Sequence, residues 1–207
     1  MARADVVRHY GGISADERRA ERRRKLLDAA REMWGAQGIS EVTVRGICAA
    51  AGLTPRYFYE QFESRETLLL AVDAEVHDEL IGVLVPASDA EAGGLDRRLR
   101  AALLAFLEMV TNDPHAHRII TSDPSGVAGL AAQRRAGLQR VTQLVIENST
   151  GLLPSAPPAD EIERLALFTV GGINSLIEDW LQQPRMSAME LADVCTRFAS
   201  AAVTGLR

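Results

Sequence analysis

The chain has 207 residues, 47% of them hydrophobic, and a formal net charge of −5. That length supports a sizeable core and suits one large or two small domains. The chain has no run of 18 apolar residues and starts with a polar, charged stretch, which argues against a membrane span or secretory signal and for a soluble cytoplasmic protein. Cys48 and Cys195 have no metal-ligand spacing and read as reduced packing residues, so no metal site and no cofactor is expected. The Asn148-Ser149-Thr150 glycosylation pattern reads as chance without a secretion signal.

Residues 1–13, with Arg3 and Arg8, read as a flexible, basic arm. A first helix is predicted from a capping box of Ser14 and Glu17, and Gly38 ends it. Its early turns carry Arg18, Arg19, Arg22, Arg23, Arg24 and Lys25, and its later turns an inward stripe of Leu26, Leu27, Ala30, Met33 and Trp34. Thr43 caps a second helix whose apolar Val44, Ile47, Cys48 and Ala51 fall at i, i+3, i+4 and i+7. Gly52, free of a Cβ, closes the turn. Thr54 caps a third helix, Pro55 suits its first position, and Leu53 with Phe58 has the spacing of a hydrophobic staple.

At 100° per residue, Phe58 and Phe62 of that third helix face inward, while Arg56, Glu60 and neighbouring Tyr57 face outward. Tyr59 and Gln61 fall on the flanks. An exposed face of this kind, on the second of two helices around a glycine turn, suits a helix-turn-helix that lays one helix in the major groove. The flanks then meet the phosphate walls.

Further along, no segment alternates with a two-residue period, so an all-α fold of about nine helices is expected. Leu68 to Leu84 reads as a connecting helix and Pro86 through Gly94 as a loop. Helices then follow at Leu95 to about Thr111, from Asp113-Pro114 through Ile120, and from Ser125 to Ser149. A proline-containing loop from Gly151 to Pro158 precedes helices at Asp160 to Gln183 and Ser187 to Leu206. The organisation expected is an arm at 1–13, a DNA-binding head at 14–66, and a larger helical domain at 67–207.

The run TVRGICAAAGLTPRYFYEQFESRETLLLAV, residues 43–72, resembles the TetR family of one-component transcriptional regulators. The resemblance implies a double-stranded DNA operator as partner, phosphate contacts from Thr43, Thr54, Tyr59, Gln61 and Arg65, and base contacts from Arg56 and Tyr57. Arg56 departs from the family pattern, which most often has a small residue there. A long cation changes which base is read or how closely the helix seats. The resemblance also implies a homodimer through the last two long helices and an unidentified small-molecule effector. Leu165, Phe168, Ile173, Leu176 and Ile177, then Leu191, Val194, Phe198 and Val203, supply the apolar faces for a four-helix interface, and Gly171-Gly172 permits close approach. Phe106, Met109, His117, Asn174, Glu178 and Trp180 are the candidate pocket residues.

The net negative charge does not oppose DNA binding, because it is unevenly placed. Residues 1–70 hold 12 Lys plus Arg against 10 Asp plus Glu, a balance of +2, and residues 71–207 hold 11 against 18, or −7. Screening over about 8–10 Å isolates the acidic part from the duplex. An enzyme is not expected: the chain has no Gly-rich phosphate loop, nucleophile elbow or metal-binding pair at helical spacing, and His115 and His117 diverge on a helix. The reading is a repressor released from a palindromic operator when an effector binds. The alternative is a ligand-binding or scaffold protein of the same fold without specific DNA binding.

Overall fold

A computed structural model describes residues 14–149 and 158–204. The expectations for the arm at 1–13, for Thr150 and most of the Gly151–Pro158 loop, and for Leu206 lie outside the described residues. The described residues form nine α-helices and two short 3-10 turns, without a strand. The helices are α1 (Ala15–Gln37), α2 (Val44–Ala51), α3 (Pro55–Tyr59), α4 (Arg65–Ala90), α5 (Leu95–Asn112), α6 (Pro114–Thr121), α7 (Leu130–Ser149), α8 (Ala159–Gln182) and α9 (Ala188–Thr204).

Local sequence sets the ends of the first helices. Ser14 and Glu17 exchange side-chain and backbone bonds in a capping box at α1, and Ser64 and Thr67 do the same at α4. Thr43 accepts from the Gly46 amide and starts α2. Gly52 sits at φ 65°, a left-handed conformation that costs a glycine little, and the Leu53 amide donates back to Cys48 O. α3 then runs only five residues, although Phe62 N still donates to Phe58 O and extends the turn past its end.

The first core is built from α1 through α4 and closed by α6 and the start of α7. Trp34, Ile47, Phe58, Leu68, Leu69, Ile119 and Leu130 are all fully enclosed in it. It therefore continues past residue 66, through the body of the protein. α1 and α6 pack so closely that a Cβ added at Gly35 would lie 2.3 Å from His115 Cβ. Polar groups fasten α1 to α6 and to α4. Arg31 bonds Glu79 at 2.8 Å and Asp113 at 2.7 Å, and Arg118 donates to Gly35 O and Ala36 O at the end of α1.

The second core is smaller. Leu103, Leu107, Ile177, Leu191, Ala192 and Cys195 join α5, α8 and α9. α5 runs antiparallel to α9, since Ser200 donates to Asp96 and Arg100 pairs with Asp193. Burial pushes the Cys48 and Cys195 thiols above the ordinary range, which suits packing residues.

Several boundaries differ from the sequence reading. α4 runs through Pro86 to Ala90, where a loop was expected from Pro86. Leu80, Ile81, Leu84, Val85 and Ser88 keep one face of α4 on a shared inner wall across the proline. Packing of α4 along α5 offsets the cost of an interior proline, about 3 kcal/mol, part of which is a lost hydrogen bond. α7 starts at Leu130 rather than Ser125, because Pro124–Gly126 forms a 3-10 turn capped by Asp123 and Gly129 follows at φ 86°.

Candidate nucleic-acid interface and ligand cavity

α3 presents an exposed face. Arg56 is 86% exposed and reaches Glu60 one turn on, with Nε to Oε1 at 3.2 Å. Tyr59 is 61% exposed, and its ring meets Phe58 edge-on at 5.2 Å. Phe58, fully enclosed, anchors the helix while its neighbours face solvent. Tyr57 is half-exposed beneath the Arg22 guanidinium, 4.8 Å from the ring centroid. Arg23 lies 4.5 Å over the Phe62 ring. Two arginines of the dense α1 cluster thus brace α3 by cation–π contact, a role that their charge alone did not reveal. Lys25 pairs with Glu21, and Arg24 with Asp28 and Glu75.

The remaining expected DNA contacts divide into two groups. Thr43 and Thr54 are exposed at the starts of α2 and α3. The Thr43 hydroxyl accepts from Gly46 and keeps its proton to donate, and Thr54 makes no capping bond. Gln61 and Arg65 turn inward. Gln61 Nε2 is enclosed without a hydrogen-bond partner. The Arg65 guanidinium donates to Ile39 O and Val42 O, which fastens the 3-10 turn ahead of α2. To reach phosphate, Arg65 would have to give up both carbonyls.

The larger half holds a cavity of about 740 Å³ between α4, α5, α7, α8 and α9, with mainly apolar walls. Three of the expected pocket residues, Phe106, Asn174 and Glu178, line it. Asn174 donates to Glu178 at 2.9 Å. The other three do not. Met109 packs against the first core, and Trp180 packs beside the second with its Nε1 donating to Met186 O at 2.6 Å. His117 sits on α6 outside the lining, and burial pushes its pKa below the ordinary histidine value. Among the described residues no group of His, Cys, Asp and Glu could hold a metal ion.

A polar junction that sequence reasoning missed lies between the cavity and α1. Asp73 of α4 is fully enclosed. It accepts from Arg134 Nε at 3.1 Å and Gln133 Nε2 at 2.8 Å, both from α7. His77 Nδ1 lies 3.4 Å from the same carboxylate. Arg134 also donates to Ile119 O and Ser122 O at 2.6 Å each, holding the end of α6. The Ser122 hydroxyl in turn accepts from Trp34 Nε1 at 3.2 Å. His77, Ser122 and Arg134 also line the cavity. One sequence signal pointed here: Asp73 interrupts the apolar run LLLAVDAEV, and a buried carboxylate requires donors.

Residues 26–72, which span the end of α1 through the start of α4, match the family model described as bacterial regulatory proteins, tetR family. Over these residues the chain is similar to the TetR family. An HTH-type transcriptional activator, FasR, from Mycolicibacterium smegmatis is 28% identical over 171 residues, covering 81% of this chain and 75% of that protein. An uncharacterized HTH-type transcriptional regulator from Mycobacterium tuberculosis is 23% identical over 192 residues, 92% of this chain and 80% of that one. The fold is shared with a TetR-family transcriptional regulator from Streptomyces coelicolor, at a TM-score of 0.73 and 20% identity, over 90% of this chain and 82% of that chain. The family that the chain's head matches and the curated relatives it resembles are transcriptional regulators. No helix among the described residues is long and apolar enough to cross a membrane.

Proposed function

We propose that this chain is a TetR-family homodimeric, cytoplasmic repressor that holds a palindromic operator and releases it when a small molecule fills the cavity. The observation that carries the reading is the junction. Ser122 and Arg134 line the cavity and belong to the same hydrogen-bonded set that holds Trp34 of α1. A ligand that displaces either group changes how α1, and the head with it, is held. Residues 14–66 serve as the DNA-binding head, and 67–207 bind ligand and dimerise. α4 is the lever, since it starts beside α3 and lines the cavity at its other end.

On the operator, Arg56 and Tyr57 face base edges, and Thr43, Thr54 and Tyr59 meet phosphates. Gln61 and Arg65 support the helix from beneath, given where their polar ends point. Dimerisation through α8 and α9 is supported by large apolar side chains left in solvent, with Phe168 74% and Phe198 56% exposed. Side chains of Ile177 and Leu191, counted in that interface from sequence, are instead inside the second core. A Cβ at Gly171 or Gly172 would meet nothing within 4 Å, so another helix has room to approach. A twofold pair reads half-sites about 34–36 Å apart or a multiple of that. Coupling of about 1–3 kcal/mol between cavity and head changes operator affinity roughly 5- to 150-fold, provided the ligand prefers the released state.

The relative FasR is described as an activator, which favours activation as a second reading of the sign of regulation. Sign follows from where the operator lies in the promoter, and the head is the same in either case. Selection of bound duplexes from a random library at near-physiological salt tests the DNA-binding part of the proposal. An enriched inverted repeat supports a dimeric operator-binding regulator. No enrichment at any salt would favour the ligand-binding or scaffold reading.

A further inference from the structure

We propose that the cavity takes an elongated, mostly apolar molecule ending in a carboxylate, and that Arg98 and Thr169 hold that carboxylate. The inference rests on the reading of the cavity as the effector site. Arg98 of α5 and Thr169 of α8 both line it. Arg98 Nε and Thr169 Oγ1 are enclosed there, and neither has a hydrogen-bond partner among the described residues.

The other charged groups of the lining are mostly answered within the protein. Arg134 pairs with Asp73 and Arg140 with Asp78. Among the acids, Asp96 accepts from Ser200, Asp123 from Ser125, and Glu178 from Asn174. Arg135 is exposed to solvent. What the enclosed wall lacks is an acceptor, and a negatively charged one, for a guanidinium and a hydroxyl.

The order of the helices argues that both groups belong to the same end of the cavity. The Asp96–Ser200 and Arg100–Asp193 contacts place the start of α5 beside the later turns of α9. α8 and α9 pack together through Ile177, Leu191 and Cys195, and Thr169 lies two turns back along α8 from Ile177, toward the α9 end that holds Ala199. A carboxylate offers two oxygens, one for the charged donor and one for the hydroxyl. Enclosed donors of this kind are tolerated where an acceptor visits the site, because leaving them unmet is costly.

The walls determine the rest of the molecule. Leucine, isoleucine and valine side chains from six helices reward an alkyl or aromatic body, and about 740 Å³ is within the range of small-molecule sites. A neutral apolar ligand leaves the guanidinium unmet, and a cationic one is repelled by it.

Displacement of the neutral dye Nile red from the purified full chain tests this, with decanoate and 1-decanol as competitors below their aggregation limits. Decanoate is expected to displace the dye at a concentration on the order of tenfold lower than decanol, the scale of one charge-assisted hydrogen bond. Arg98→Gln should abolish that preference, and Arg98→Lys should retain part of it, each variant first shown to melt as the wild type does. Equal displacement by the two competitors, or a preference untouched by Arg98→Gln, would overturn the carboxylate proposal and leave the effector cavity standing. Failure of the wild type to take up Nile red at all would overturn both.

Discussion

The two halves of the molecule solve opposite packing problems. In the head and the helices beneath it, Trp34, Ile47, Phe58 and Leu68 are enclosed with no accessible surface. In the larger half, a small core of Leu103, Leu107, Ile177 and Leu191 borders a cavity of about 740 Å³. A dense interior transmits displacement and holds a recognition helix in place. An open interior gives up stabilising contacts in exchange for room to bind. The halves meet at Asp73, Arg134, Ser122 and Trp34, where polar bonds connect the open part to the dense one.

The largest expected effects test the contrast in packing. Phe58→Ala should cost about 3–5 kcal/mol in denaturant unfolding and abolish DNA binding, because it empties a filled site. Ile81→Ala, on the cavity wall, should cost about 1 kcal/mol or less, since that side chain already borders open space. Similar losses for the two would remove the distinction between the halves. Arg134→Met should cost about 3–5 kcal/mol by leaving the Asp73 carboxylate enclosed without its cation. Adding Asp73→Asn to that variant should restore part of the loss, and a double variant less stable than Arg134→Met would contradict a paired junction.

Smaller effects sharpen the reading of the head. Arg56→Ala should weaken binding to the preferred operator by about 1–3 kcal/mol and relax one base position. The Arg56–Glu60 pair is exposed, and breaking it to free the guanidinium costs only about 0.3–0.5 kcal/mol. Loss spread equally over all sequences would make Arg56 a phosphate ligand. Tyr59→Phe should weaken binding by about 1 kcal/mol without altering the selected consensus; a changed consensus would place Tyr59 at a base.

The head was legible in the sequence because its signals act over a few residues. The capping box at Ser14, the cap at Thr43, the glycine turn at Gly52 and the inward Phe58 each follow from neighbours within one or two turns. The cavity and junction were not, because they depend on pairs far apart in the chain. Asp73 and Arg134 are separated by 61 positions. Helical period put apolar residues on an inner face without saying which core that face enters. Phe106 therefore lines the cavity, Met109 joins the first core, and Trp180 packs beside the second. Arg65 was ambiguous for a related reason: a cation at a helix start suits a phosphate, and only the approach of the Ile39 and Val42 carbonyls gives it an internal role.

The claim that the open half governs the dense one is tested most directly by filling the cavity from within. Ala102 lines it on α5, and Ala102→Phe places a ring where a ligand would sit. The measurement is the affinity of that variant for the duplex selected by the wild type, at fixed salt, with unfolding followed in parallel. Binding weakened roughly 5- to 150-fold, with the head still folded, is the expected result. Unchanged operator affinity in a folded variant would contradict control of the head from the cavity.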